Sequence, residues 1–315
     1  MAAVAGAVTR WLTAPMPLGR VAAFRTLIYL FVIGDLLWFT RWVRDHGDLP
    51  GELYRPLLVG RLLPLPTPTP ALVYGVFGAL LVAAAIAATG RLPRLAGSAV
   101  ALLYFEWMII AFSYGKVDHD RIGLLVALAV LPTVGRARHG DRTRSEAAGW
   151  ALRATQLAVV ATYFLAAWAK LRYGGLDWLT SATLTWAIIR RGTFLGEALL
   201  AAPWLLIAAQ VGIVAFELLS PLVFGLRERW RHAAVGFFYS FHVISFATIT
   251  ISFMPHLAAM ACFLPLEKLR PVVWLRGALR GRQRAGGGAA RQPVAVAGDP
   301  PVRRPGEPAD RPQLE

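Results

Sequence analysis

Lys170 stands at the end of an apolar run in "YFLAAWAKLRYGGLDWL", residues 163–179. The chain has 33 basic residues, yet only Lys116, Lys170 and Lys268 are lysines. The choice matters chemically. Arg stays charged under all ordinary conditions, whereas a desolvated Lys can lose its proton and act as a base. Ala166, Ala167 and Ala169 precede it, and small residues let helices approach closely enough to exclude water. A second reading is equally consistent with the residues. Lys170 can snorkel to an interface beside an aromatic belt of Trp168, Tyr173 and Trp178.

Four more ionisable residues lie inside apolar runs: Asp35, Glu106, Glu217 and His242. A charge at bilayer depth costs about 2.5–3.5 kcal/mol even on lenient insertion scales, so such residues face the protein interior or a cavity. Each has a structural and a functional reading. Asp35 can pair with Arg41 or with another interfacial Arg. Glu106, in "LLYFEWMII", is a hydrogen-bonded core carboxyl or a site residue. Glu217, in "IVAFELLSP", precedes Pro221 by one turn, and a proline there frees a backbone carbonyl and marks a kink lining a cavity. His242, in "FFYSFHVISF", is a core histidine or an acid/base group. The stretch "SYGKVDHDRIG", 113–123, gathers Lys116, Asp118, His119, Asp120 and Arg121 in a short turn before a short apolar run, which places His119 at a bundle mouth.

The elements that must position these groups follow from composition. The 315 residues are 57% hydrophobic with a mean hydropathy of +0.52, too apolar for a soluble domain of this length. Apolar runs predict spans near 22–43, 71–89, 95–115, 122–134, 149–169, 204–226, 231–252 and 253–267. The fourth and last are short and read as re-entrant or half-helices. The fold class is therefore an all-α integral membrane protein, a bundle of about eight transmembrane or re-entrant helices. Interfacial segments are expected at 44–70 and 180–200. The first run ends in "TRWVRD", not in a small-residue cleavage site, so it reads as an uncleaved span. Residues 1–21 precede the bundle, 22–270 form it, and the Gly/Pro/Arg-rich stretch 276–315 reads as a disordered basic tail.

Arginines fall in alternate short loops, which places both chain ends in the cytoplasm. Lys170, Asp118, His119, Asp120, Asp177 and His256 then share the non-cytoplasmic end. The net charge of +15 is distributed as such topology signals and as contacts to anionic lipid, not as a nucleic-acid surface. A single cysteine, Cys262, excludes an internal disulfide. Phosphate-loop, G-x-S-x-G, H-E-x-x-H and C-x-x-C motifs are missing, and the D-H-D spacing alone does not make a metal site. No metal is expected.

Taken together, "YFLAAWAKL…DW" is similar to the Y-F-x-A-G-x-x-K-L…D-W signature of the vitamin K-dependent γ-glutamyl carboxylase family. More closely, the chain resembles the bacterial HTTM proteins, membrane-domain relatives of that carboxylase. "LGRVAAFRTLIYLFVIGDL", "GKVDHDRIGLLVAL", "VGIVAFELLSPLVFGLRERWR" and "AVGFFYSFHVISF" resemble further family segments in the same order, over about residues 18–270. The resemblance implies a bacterial cell membrane and a reduced naphthoquinone as substrate. It implies Lys170 as the base, with His119 and His242 assisting. It carries Trp178 and Arg25 over to the same site, and Glu217 and Glu106 are taken as substrate-binding residues with them. A hydroquinone has phenol-like acidity, pKa about 10, within reach of a neutral amine. Three departures stand out. Ala167 replaces a family Gly, Ala169 replaces the first of two lysines, and "RYGGL" lengthens the link to Asp177-Trp178. The carboxylase's large domain, which helps to hold the protein substrate, has no counterpart in the stretch read as a tail. The resemblance implies a hydroquinone-linked oxidase or a carboxylase-like enzyme, and the missing domain weighs against peptide carboxylation. The alternative is a non-catalytic quinone- or lipid-binding or assembly subunit of the DoxX-like kind.

Overall fold

A computed structural model describes residues 2–268. The basic stretch 276–315 lies outside them. Six helices are long and apolar enough to cross a membrane, spanning Leu18–Phe39, Pro70–Ala88, Leu95–Phe112, Glu146–Gly174, Pro203–Gly225 and Glu228–Ile249. The two short runs, for which re-entrant and half-helix readings are open beside spanning, form short helices. Ile122–Val130 is nine residues long, and Met254–Met260 is seven. Nine residues rise only about 14 Å, half of a hydrocarbon core of about 30 Å.

We label the helices α1 (Ala2–Thr13), α2 (Leu18–Gly34), α3 (Pro70–Ala88), α4 (Leu95–Phe112), α5 (Ile122–Val130) and α6 (Glu146–Gly174). They are followed by α7 (Thr183–Arg191), α8 (Phe194–Leu199), α9 (Pro203–Leu219), α10 (Glu228–Ile249) and α11 (Met254–Met260). Helix α1 falls in the segment expected to precede the bundle, and packs on α6. Its Trp11 lies edge-on to Phe224 and under the Arg153 guanidinium. A two-residue antiparallel bridge, Met16–Pro17 with Arg144–Ser145, joins the starts of α2 and α6.

Local chemistry sets the element ends. Thr69 caps α3, its side chain accepting from Leu72 N, and Pro70 occupies the first helical position, where its missing N–H is no loss. Helix α6 runs past residue 169, where the apolar run ends, and stops where Gly175 adopts φ +61°. Only glycine enters that left-handed region without steric cost. Just past the end of α9, Pro221 has no N–H to offer the Glu217 carbonyl four residues back. Ser220 Oγ donates to that carbonyl at 2.8 Å, and the chain continues as a 3-10 turn to Gly225.

Helix α6 is the axis of the bundle, packing against α1, α5, α9 and α11. Gly123 lets α5 fit between Val159 of α6 and Ala259 of α11, since a Cβ there would lie 3.1 Å from each. The core runs from Val21, Phe24 and Ile28 through Leu80, Trp107, Leu124 and Val159 to Met260. The outer surface is apolar as well: Trp38, Leu102, Trp168, Trp204 and Val243 are exposed. That inversion of the soluble pattern suits a lipid solvent.

One buried polar network braces the bundle. Helix α2 ends in a π turn, Asp35–Phe39, that brings the Asp35 carboxylate inward at 0% exposure. Arg121 Nη1 donates to both carboxylate oxygens at 2.9 Å. Tyr104 OH donates to Asp35 at 3.0 Å while accepting from Arg121 at 2.8 Å. Thr40 Oγ1 donates to the carboxylate at 3.2 Å and accepts from Trp107 Nε1 at 3.0 Å. The partner of Asp35 is thus Arg121, not Arg41. The network ties α2 and α4 to the turn carrying His119.

Candidate functional site

Five elements converge on a cavity of about 130 Å³. Helix α6 contributes Tyr163, Ala166 and Lys170, at spacings of three and four residues that put all three on one face. Helix α9 brings Glu217, α10 brings His242, α11 brings His256, and the 3-10 turn His119–Arg121 brings His119 and Asp120. Small Ala166 leaves the room; a larger residue on that face would fill it.

Lys170 and Glu217 form the central ion pair. Nζ donates to both carboxylate oxygens, at 2.8 and 2.7 Å. The Glu217 side chain is only 7% exposed, so the carboxylate has little water to solvate it and depends on the ammonium. The Trp178 ring lies 5.5 Å from Nζ, within cation–π range. Gln210 Nε2 holds that segment in place by donating to the carbonyls of Trp178, Leu179 and Ser181.

Across the cavity, Tyr163 OH and His242 Nε2 share a 2.6 Å hydrogen bond. His256 packs edge-on to Tyr163 at 4.7 Å and lies 5.3 Å from His242, centre to centre. Both His256 nitrogens and His242 Nδ1 are buried without a partner among the described residues. Such groups are costly unless something polar meets them, and here they all border one cavity. His119 sits at the mouth. Burial of its inner face and the Lys170 ammonium hold its proton affinity below the usual imidazole range, against a smaller opposing pull from Asp118. His119 is therefore a neutral proton acceptor near pH 7.

Burial raises the Asp120 carboxyl to about 6, against the opposing charge of Arg121. The native state thus holds this proton more tightly than the unfolded chain does. Asp120 contributes a stability loss that grows as pH rises from about 4 to about 6 and is complete above that. Asp120→Asn is expected to match wild type near pH 4 and to exceed it by up to about 3 kcal/mol above pH 6. Thermal unfolding of both proteins in detergent across pH 4–8 checks this; parallel curves would refute it.

Of the residues singled out from the sequence, Lys170, His119, His242 and Glu217 line this cavity, and Trp178 covers Lys170. Glu106 and Arg25 do not line it. Glu106 is on α4, with Oε1 buried and unpartnered. Arg25 is on α2 near the opposite end of α5, where its Nη2 donates to the Leu131 carbonyl at 3.2 Å. Tyr163 and His256 were not anticipated as site residues. Tyr163 had a signal, since it precedes Lys170 by seven residues, two helical turns on the same face. His256 had none beyond its expected end of the bundle.

An apolar groove of about 370 Å³ adjoins the cavity between α9 and α10, lined by residues such as Leu206, Ile213, Phe237 and Ile244. The two spaces share Phe241. Among the described residues, no three His, Cys, Asp or Glu side chains are arranged to hold a metal ion. Comparison of the chain with protein-family models, curated proteins and solved structures found no match.

Proposed function

We propose that this polytopic membrane protein is an enzyme that oxidises a reduced quinone, as its resemblance to the carboxylase and HTTM families implies. On this reading the bundle has six full spans and two half-spans, both chain ends are cytoplasmic, and the cavity opens toward the non-cytoplasmic face. The observation that carries the proposal is the Lys170–Glu217 pair inside a cavity bordered by three histidines and Tyr163.

The pair supplies a base without burying net charge. The ammonium proton can pass to the carboxylate along a 2.7 Å hydrogen bond, leaving a neutral amine beside a neutral acid. The amine then takes a phenolic proton from the quinol. His119 at the mouth relays protons to water, and the unpartnered nitrogens of His256 and His242 orient the ring oxygens. Dioxygen takes up the two electrons together with both quinol protons, those relayed through His119 and mouth water included, and leaves as hydrogen peroxide, giving the quinone. The apolar groove beyond Phe241 receives the substrate's hydrocarbon chain, and Phe241 must swing aside for the ring to enter, since the cavity alone is small.

One observation favours a second reading. A bidentate ion pair capped by an aromatic ring is also what a rigid, inert anchor needs. A non-catalytic quinone- or lipid-binding subunit would have it too. The two separate in one assay. Purified protein in nanodiscs receives a reduced naphthoquinone and oxygen, and quinone and epoxide are followed by chromatography. Turnover above the uncatalysed rate supports the enzyme. Its absence across several quinols, with saturable quinone binding retained, supports the binding module.

A further inference from the structure

The end of the bundle away from Lys170 holds a buried cation without an anion. Arg25 is 2% exposed. Its Nη2 donates to the Leu131 carbonyl, but among the described residues Nε and Nη1 have no partner, and neither does the hydroxyl of Tyr29 one turn further along α2. Among the described residues, salt bridges use Arg20, Lys116, Arg121 and Lys170, and none uses Arg25. A buried charge with no counter-charge is strongly destabilising, so an anion within reach is the physical expectation.

There is a place for one. Arg25 lines a pocket of about 340 Å³ together with Thr26, Thr89, Arg91, Arg138 and His139. Arg91 and Arg138 reach it from exposed loops, and His139 Nε2 is 3.1 Å from Thr26 Oγ1. No acidic residue lines this pocket or the two hollows beside it, which add Arg94 and Arg136. Topology alone explains why arginines collect at one end of a membrane protein. It does not explain why one of them is sunk into the bundle at the wall of a basic pocket, with two buried donors unused among the described residues.

We propose that this pocket binds a phosphate group, with Arg25 as the buried anchor and Arg91 and Arg138 closing on it from the rim. Guanidinium forks match phosphate oxygens in geometry as well as in charge. The phosphate belongs to an anionic phospholipid headgroup or is free in solution; the chemistry of the site is the same for both. The site is separate from the Lys170 cavity by the length of α5, about 14 Å, and does not depend on the quinol reading.

Thermal unfolding of the full chain in a neutral detergent tests it in two arms. One titrates inorganic phosphate against sodium chloride at matched ionic strength, which removes screening as a cause. The other titrates phosphatidylglycerol in mixed micelles against diacylglycerol, which has no phosphate. A saturable rise in Tm is expected in at least one arm. A response to phosphate identifies the free ion; a response to phosphatidylglycerol alone identifies the headgroup. The rim double variant Arg91→Gln/Arg138→Gln should weaken the apparent affinity at least tenfold, while Arg229→Gln, outside the pocket, should not change it. Because the rim residues are exposed, this test stands even if Arg25→Met fails to fold. No response in either arm, or a response unchanged in the rim variant, overturns the proposal.

Discussion

Replacing Lys170 by Arg is expected to reduce quinol turnover by roughly 10²- to 10⁴-fold, the usual loss when a positioned base is removed. The size of the effect rests on a contrast between two cations of similar reach. Arg keeps the charge, keeps a bidentate contact to Glu217, and keeps a guanidinium face for Trp178. It cannot give up its proton, so it cannot alternate between donor and acceptor. Lys170→Arg should therefore fold with a Tm close to wild type and be as inactive as Lys170→Ala. Tm and turnover measured on the same preparations decide the matter. If the Arg variant retains most of the activity, Lys170 is an anchor and the base lies elsewhere.

The second large effect concerns stability. Asp35→Ala is expected to lower the unfolding free energy by about 3–5 kcal/mol, because it leaves Arg121 buried and uncompensated. Tyr104 loses its acceptor at the same time, whereas Thr40 keeps the Asp35 backbone carbonyl. Removing both charges should cost less than removing one. Asp35→Leu combined with Arg121→Met is expected to recover a good part of the loss, since the desolvation of the guanidinium disappears with it. Denaturant unfolding of the two single variants and the pair gives the coupling directly. Equal losses in single and double variants would mean that the ion pair does not govern this region. Activity adds a further readout. The Asp35–Arg121 pair holds the turn carrying His119 and Asp120, so a folded single variant should lose turnover as well.

Much of the bundle was legible because a lipid solvent demands long apolar runs, and six of those runs are helices of spanning length. The half-helices were legible as short runs, but their length alone left spanning and re-entry both open. The run 122–134 is apolar throughout, but apolarity reports what surrounds a segment, not how far its helix extends. Here protein surrounds it, through Gly123 against α6 and α11, and Leu131–Val134 tightens into a 3-10 turn. The end of α6 was misread for the related reason that polarity begins at Lys170, whereas the backbone turns only at Gly175. Glu217 was legible as a cavity residue through Pro221, yet its partner 47 residues away was not, since no spacing rule connects separate helices. Arg25 carries a different lesson. It lies near the start of the first span and Lys170 near the end of the fifth, so the alternation of spans already put them at opposite ends. Only the resemblance joined them.

The shortness of α5 has an electrical side. Its two ends carry the Asp35–Arg121 network and the Arg25 pocket, so polar groups approach each other from both faces to within about 14 Å. Where water and ions follow those groups inward, the transmembrane voltage falls across that thin layer and not across the full bilayer. A unit charge crossing it gains about 2.3 kcal/mol for each 100 mV, over half the usual distance. On the proposed quinol reading, protons drawn from the two sides of the membrane would then differ in energy, and the membrane voltage would enter the chemistry as a term of its own.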